Sequence, residues 1–415
     1  MTSSPAAAAA RRSLRVPTLC AGLVMGVALG IRHVQGLFML PMTLEHGWPR
    51  ETFAFALALQ NLAFGLAQPL TGLLADRWGG ARVVAFGALL YGIGLATMAG
   101  ASTPAVLVLG CGAVIGVALS CTAFGVVYGI LSRLAPEAER GWSLGLAGAI
   151  GGIGQFIAVP STQGLQDYLG WKGALLALGA AIALAGLLAP TLRAPDRGRT
   201  GGAAPDPVDA PLPMRTAVRQ ALGHRGFWLL NLGFLACGFQ LAFIASHLPA
   251  YLLDRGAPPR LAVSGLATIA LANIVGTYAC GRLGDLWRRK NVLAAVYLAR
   301  AAAMTLFVAC PLSATGVHLF CAVMGLLWLG TAPLTNALVS QMFGVRYIGT
   351  LFGLVFLGHQ LGAFLGVWLG GRVYDLTRSY DLVWGIAIAL GLLAAALHWP
   401  IDDRPASRAL APRPT

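Results

Sequence analysis

Charged residues are scarce in this sequence. Charged side chains make up 11% of the 415 residues, hydrophobic residues make up 57%, and the mean hydropathy is +0.73. A soluble domain carries charge on about 25% of its residues, so a soluble protein is excluded. Because one crossing of a bilayer needs about 20 apolar residues, the apolar runs predict about twelve membrane-spanning helices. The predicted spans lie near 17–41, 53–75, 82–101, 105–132, 143–165, 173–192, 227–252, 262–284, 291–311, 315–341, 348–371 and 382–399. Runs of this length exclude a strand barrel, whose segments are short and alternating.

Motifs for metals, nucleotides and disulfides are also missing. The seven cysteines form no CxxC pair and all fall within apolar runs, which is typical of small core residues. The two lysines, Lys172 and Lys290, are not followed by Ser or Thr, so there is no nucleotide-binding P-loop. We therefore expect no cofactor, no metal and no enzymatic activity.

The formal net charge of +14 has a topological explanation. Arginines are dense in alternate loops: before the first span, after the second, after the eighth and in the tail. The loops between them hold few basic residues, which is the bias of cytoplasmic loops in membrane proteins. The pattern predicts a multi-pass protein of the bacterial inner membrane, with both termini in the cytoplasm. Its partners are then the lipid bilayer and a small solute rather than nucleic acid, and a monomer is expected.

A change of composition divides the chain into two halves. Residues 194–225 are rich in Pro, Gly and Asp and predict a cytoplasmic linker. At its end Met214, Val218 and Leu222 recur at helical spacing, which indicates a short helix on the membrane surface. The predicted domains are a six-helix bundle in 1–193 and a second bundle, with a short tail, in 226–415.

The two halves repeat one another. "GLLADRWGGAR" from Gly72 and "GRLGDLWRRK" from Gly281 each follow the second span of their half. Leu40-Pro41 in the first span aligns with Leu248-Pro249 in the seventh. Duplicated halves in a membrane protein indicate a transporter whose site lies between them, near the middle of the membrane.

The motif G-x-L-A-D-R-x-G-x-x-R resembles the loop signature of the major facilitator superfamily. "GFQLAFIASHLPAYL" and "GTLFGLVFLGHQLGAFLGVWLGG" are similar to segments of its bacterial monocarboxylate-transporter-like branch. The resemblance implies an all-α membrane protein of two pseudo-symmetric six-helix bundles, and transport of an organic anion. It also implies a cytoplasmic latch made of Asp76, Arg77, Arg82, Asp285 and Arg289. The arginine that animal relatives carry in the eighth span is not present, because Thr277 stands there.

Polar residues inside the spans identify candidate substrate contacts. No Asp or Glu lies well inside a predicted span, so Arg32 has no evident carboxylate partner. A cation is costly in a membrane, and a visiting anion would compensate for it; the alternative is that Arg32 extends to the membrane surface. Arg300 is expected to bind backbone carbonyl groups. The predicted substrate-binding residues are Arg32, His33, Gln240, Asn273, His359 and Gln360.

These observations predict a secondary transporter of a small organic anion, a mono- or dicarboxylate, that works by alternating access. Protons are a candidate coupling ion, because histidine as a residue type titrates near neutral pH and His33, His247 and His359 lie within the spans. One alternative is efflux of apolar or drug-like compounds, which usually requires a buried acid. A second alternative is a membrane sensor of the same fold, which usually carries a long soluble domain.

Overall fold

The computed structural model describes residues 5–135, 137–193, 214–344 and 348–404, and this part of the chain contains helices and no strand. The helices of the first half are Pro5–Val34, Gln35–Phe38, Met39–His46, Arg50–Trp78, Gly80–Ala99, Pro104–Leu107, Val108–Val114, Ile115–Thr122, Phe124–Leu134 and Glu137–Gly186. A short 3₁₀ turn, Ala189–Leu192, follows. The helices of the second half are Met214–Gly223, Arg225–Asp254, Pro259–Leu286, Arg289–Ala309, Ala314–Leu326, Thr331–Phe343, Ile348–Thr377 and Asp381–His398.

The protein is a multi-pass membrane protein. Eleven helical segments of the described chain are long and apolar enough to cross a bilayer. The longest, Ser143–Gly186, is two helices that meet at Gly170, whose φ of 69° lies in the region that favours glycine. The segments therefore correspond to the twelve predicted spans, which are numbered 1 to 12 below.

Three spans are interrupted rather than continuous. Span 1 passes through a tighter turn at Gln35–Phe38, and span 4 bends at Ala123, whose backbone is extended. Span 10, expected as one helix over 315–341, is broken between Leu326 and Thr331. Broken helices inside a membrane leave backbone groups without helical partners, so they occur where protein or a cavity surrounds them.

Small residues bring helix backbones into contact within each half. A methyl group built on Gly154 of span 5 would lie 2.6 Å from the Cα of Gly26 in span 1. One on Gly366 of span 11 would lie 2.4 Å from the carbonyl oxygen of Phe239 in span 7. Such approaches maximise dispersion contacts where lipid removes the hydrophobic driving force between helices. Leucines such as Leu306 and Leu319 remain 64% exposed and form the surface that lipid covers.

The two ends of the molecule differ in charge. We call the end where spans 2 and 3 meet at Gly79, and spans 8 and 9 meet at Arg288, the basic face. The other end, with the connections near Gly47 and Gly256, is the opposite face.

The predicted linker is described only in its last part. Residues 194–213 lie outside the described residues. Met214–Gly223 forms a helix, as the spacing of its apolar residues indicates, and Met214 and Leu222 stay 50% and 41% exposed. Those exposed side chains leave an apolar edge on this short helix.

Candidate functional site

Arg32 lies in the last turn of the Pro5–Val34 helix and is half-buried. Its Nη2 donates to the side-chain oxygen of Asn61 in span 2 at 2.5 Å, and its guanidinium carbon lies 5.2 Å from the ring centre of Phe64. The amide nitrogen of Asn61 donates to the carbonyl of Leu57, which turns the amide oxygen toward Arg32. Among the described residues, no carboxylate forms an ion pair with Arg32. A guanidinium has five N–H donors, so most of them remain available to an anion.

His33 faces a different part of the protein. Its Nε2 lies 3.2 Å from the carbonyl oxygen of Leu266 in span 8, to which it donates, and its side chain is buried. Its ring stands edge-on to that of Trp328 in the break of span 10, with 6.5 Å between centres. His33 therefore connects span 1 to the second half.

His359 and Gln360 of span 11 approach Arg32 through Asn61. The Nε2 of Gln360 donates to the backbone carbonyl of Asn61 at 3.2 Å. The Oε1 of Gln360 lies 3.1 Å from Nδ1 of His359, which donates to it. The structure thus joins Arg32, Gln360 and His359 by a chain of hydrogen bonds that crosses between the halves.

Aromatic side chains surround these polar groups. The ring of His359 lies 4.6 Å from Phe234 and is stacked on Phe356 at 5.6 Å. Phe356 in turn meets Phe64, beneath Arg32, at 5.4 Å. The site combines one cation, a few neutral polar groups and an apolar lining.

Gln240 and Asn273 are not brought to Arg32. Gln240 is fully buried, and its Nε2 donates to the carbonyl of Ala387 in span 12 at 2.9 Å. The side-chain oxygen of Asn273 accepts from Thr277 at 3.0 Å and from the backbone of Leu329 at 3.1 Å. Both amides hold helices of the second half together.

Arg300 binds backbone carbonyls, as expected. It is fully buried in span 9, and its guanidinium donates to the carbonyls of Leu327 and Trp328. Its Nη1 lies 3.2 Å from the sulfur of Cys237. Arg300 therefore satisfies the carbonyls that the break in span 10 leaves free, and it is not available to a substrate.

The halves are locked together at the opposite face. The guanidinium of Arg50 in span 2 donates twice to Asp254 of span 7, at 2.6 and 2.7 Å. Asp375 of span 11 accepts from the backbone N–H groups of Arg50 and Glu51, at 3.2 and 2.7 Å. Arg372 pairs with Glu51 at 2.9 Å. We call these five residues the inter-half cluster.

Several glycines near the basic face have open space beside them. A methyl group built on Gly72, Gly145, Gly281 or Gly353, near the basic ends of spans 2, 5, 8 and 11, would meet no atom within 4 Å. On Gly371, near the inter-half cluster, it would lie 2.5 Å from the Cβ of Ala54. The inter-half cluster and the approach of Gly371 to Ala54 therefore close the opposite face.

The predicted latch residues lie at the basic face. The side chains of Asp76 and Asp285 lie outside the described residues. Arg77 is exposed, and Arg82 donates to the carbonyl of Trp78 at 3.4 Å. Arg289 donates to Gln341 of its own half at 2.6 Å. The latch stays a prediction for the state in which this face is closed.

The inter-half cluster and Asn61 were not identified from the sequence. Asn61 is one of several amides within spans, and nothing in its spacing distinguishes it from Gln60. Asp254 and Asp375 lie at helix ends, where acids are common, although acids are rare overall in this chain. That rarity is the signal that would have singled them out.

Comparison with known proteins gives the family. The model of the major facilitator superfamily matches residues 18–367, with a second match over 270–415. The chain belongs to the major facilitator superfamily. This confirms the fold predicted from the duplicated loop motif, and it makes the protein a membrane transporter rather than an enzyme.

Individual relatives agree with this assignment. The chain is 25% identical to the uncharacterized MFS-type transporter YcxA of Bacillus subtilis, over 87% of this chain and 88% of that one. It is 31% identical to monocarboxylate transporter 11 of Homo sapiens, over 79% of this chain and 69% of that one. These matches confirm the resemblance to the monocarboxylate-transporter-like branch.

A solved structure shares the fold. The crystal structure of a bacterial homolog of the human lysosomal transporter Spinster, in an inward-facing and occupied conformation, superimposes with a TM-score of 0.70. The alignment covers 98% of each chain at 16% identity. At this identity the likeness shows the fold alone.

Proposed function

We propose that this major facilitator transporter carries a small organic anion, and that Arg32 binds its carboxylate. The observation that carries the proposal is the state of Arg32: a half-buried cation, oriented by Asn61, with no carboxylate partner among the described residues. A guanidinium binds a carboxylate with two parallel hydrogen bonds, and such charge-assisted bonds are strong where water is excluded.

The lining of the site favours an anion with one carboxylate and an apolar body. Arg300 is buried and donates to two backbone carbonyl groups and to the sulfur of Cys237, so Arg32 is the cation that the described residues offer at this site. Phe64 supplies an apolar face beneath Arg32, and Phe234 and Phe356 supply apolar faces beside His359. A second carboxylate would lose water without gaining a cation, which costs affinity.

The inter-half cluster at the opposite face indicates how transport would proceed. With the basic face in the cytoplasm, as the loop arginines predict, closure of the opposite face would correspond to an inward-facing state of an inner-membrane protein. Rocking of residues 1–193 against 226–415 would separate the inter-half cluster and close the latch at Asp76 and Asp285. Protons remain the candidate coupling ion, and His359 is a histidine of the hydrogen-bonded chain between the halves.

Arg32 is tested by anion binding to purified protein. Thermal-shift titration with monocarboxylates of increasing apolar size, and with matching dicarboxylates, identifies the ligand. Arg32→Gln should weaken its binding more than tenfold, because losing a desolvated charge-assisted contact costs about 2–5 kcal/mol. Arg32→Lys should bind with intermediate affinity, since it keeps the charge but loses the planar fork.

The matched control is Arg193→Gln, which removes the same charge from an exposed position of the first half. It should leave binding unchanged. Equal affinity of Arg32→Gln and wild type for the identified anion would show that Arg32 does not bind it.

A further inference from the structure

A second group of cations lies on the opposite face of the second half, outside the segments that carry the proposed transport site. A cavity of about 560 Å³ opens there between the connection of spans 7 and 8 and the connection of spans 9 and 10. Arg255, Arg260 and His318 line it, and none of the described residues that line it is acidic.

Two hydroxyl groups of span 8 hold the ring of His318 in place. Its Nε2 lies 3.4 Å from the hydroxyl of Ser264, and its Nδ1 lies 3.2 Å from the hydroxyl of Thr268. Ser264 donates its one proton to the carbonyl of Leu261, and Thr268 donates to the carbonyl of Ser264. These contacts hold the imidazole ring at the wall of the cavity.

Two arginines, Arg255 and Arg260, supply positive charge at the cavity. Arg260 is exposed, and among the described residues it has no ion-pair or hydrogen-bond partner. Arg255 lies 3.8 Å from Asp381, with both side chains largely exposed, and such a pair is weak in water. Arg260 therefore gives the cavity a positive charge that no described group neutralises.

The backbone contributes in the same direction. Arg260 stands in the first turn of the Pro259–Leu286 helix, and Ala314 begins the Ala314–Leu326 helix. Both residues line the cavity, so two helix N-termini, each with partial positive charge, end at it. The side-chain charges and the backbone dipoles thus favour the same kind of occupant.

We propose that this cavity binds an anion through a carboxylate or phosphate group, independently of Arg32. Its volume accommodates a small organic anion or the head group of an anionic phospholipid.

The chain offers its own reporter for this site. Cys310 is the one exposed cysteine of seven, and it stands two residues before Leu312, which lines the cavity. A maleimide dye that senses its surroundings is attached to Cys310 in the full chain. Its emission is followed at constant ionic strength during addition of sodium phosphate, of sodium acetate, and of mixed micelles containing phosphatidylglycerol or phosphatidylcholine.

We expect a saturable change in emission that is at least tenfold weaker in the Arg260→Gln/His318→Gln double variant. Arg282→Gln, which removes an exposed arginine near the basic face of the same half, is the matched control and should respond like wild type. Arg32→Gln should also respond like wild type, so failure here is distinguishable from failure of the proposed transport function.

The probes distinguish the source of the anion. A response to phosphate and acetate supports a site for free anions, and a response to phosphatidylglycerol but not to phosphatidylcholine supports a lipid head-group site. No saturable response to any probe, or an undiminished response in the double variant, would overturn the proposal.

Discussion

Arg32 and His33 are neighbours in the chain, yet they serve different contacts. Consecutive residues of a helix point about 100° apart, so Arg32 faces Asn61 in span 2 while His33 faces Leu266 in span 8. Arg32 is held by neutral groups and keeps most of its N–H donors free, whereas His33 is buried against the carbonyl of Leu266. Adjacent polar residues in an apolar run therefore need separate explanations.

The state of Arg32 can be tested by supplying the missing anion within the protein. Asn61→Asp keeps the shape of the side chain and places a carboxylate where the amide oxygen now lies 2.5 Å from Nη2. This resident carboxylate should pair with Arg32 and weaken binding of the transported anion at least tenfold. Titration of the identified anion by thermal shift or calorimetry measures the change.

Asn61→Leu is the control for this substitution, because it removes the hydrogen bond without adding charge. It should weaken binding less than Asn61→Asp does. Wild-type affinity in Asn61→Asp would mean that the anion is bound elsewhere.

At the scale of elements, the break in span 10 depends on a residue of span 9. Leu327 and Trp328 lie in the break between the two helices of span 10. The buried guanidinium of Arg300 donates hydrogen bonds to their carbonyl groups. Arg300→Met has similar length but no donors. It should lower the thermal unfolding midpoint in detergent by several degrees, because each buried polar group left unpaired costs about 1–3 kcal/mol.

Arg282→Met, an exposed arginine of span 8, serves as the comparison and should change the midpoint little. Unchanged stability of Arg300→Met would mean that water or a rearranged segment replaces the guanidinium.

The short tail after span 12 is attached to the basic face of the second half by Asp403. Its carboxylate accepts from Arg288 at 2.6 Å, and its backbone carbonyl accepts from Gln341 at 2.9 Å. The hydrogen bond from the Arg288 guanidinium lowers the pKa of Asp403 below its usual value. A lowered pKa in the folded state contributes stability above the unfolded pKa of about 3.9, and this contribution is lost as pH falls through the folded pKa.

Asp403→Asn should therefore lower the unfolding midpoint at pH 7, and the difference from wild type should shrink as the pH falls below about 4. Asp402→Asn, at the exposed neighbouring position, is the matched control. A difference between Asp403→Asn and wild type that does not vary with pH would contradict an ionic role for Asp403.

At the scale of the whole molecule, we expect the inter-half cluster to set the balance between two transport states. Asp254 and Asp375 hold span 2 only when the opposite face is closed, so their loss should favour the outward-open state. Contacts made in one state alone shift populations by their full free energy, and each 1.4 kcal/mol is about tenfold.

In a cysteine-free background, a cysteine at Ala54 faces Gly371 and is covered in this structure. The Asp254→Asn/Asp375→Asn variant should raise its labelling by an impermeant maleimide added from outside the cell severalfold. Asp381→Asn is the control, because that acid pairs with Arg255 of its own half. A cysteine at Tyr168, 92% exposed on the same face, should label in every variant if this face is external. Equal labelling of Ala54→Cys with and without the double substitution would show that the inter-half cluster does not control opening of this face.

The sequence by itself determined the class of molecule. Apolar runs of membrane-spanning length, loop arginines and the repeated GxLADR-type motif predicted the spans, the two bundles and the family, because burial in lipid restricts composition along every span. The absence of acids within the spans also led to Arg32, since a cation in an apolar run is conspicuous without any knowledge of its neighbours.

Only the tertiary structure decided which polar residues meet. Arg32 and Gln240 occupy matching places in the repeat. Gln240 is fully buried and donates to the carbonyl of Ala387 in span 12, whereas Arg32 is half-buried. Asn61 and the inter-half cluster join residues 29 to 325 positions apart in the chain. The periodicity of a helix fixes which residues share a face, but the partner of that face depends on how all the helices pack together.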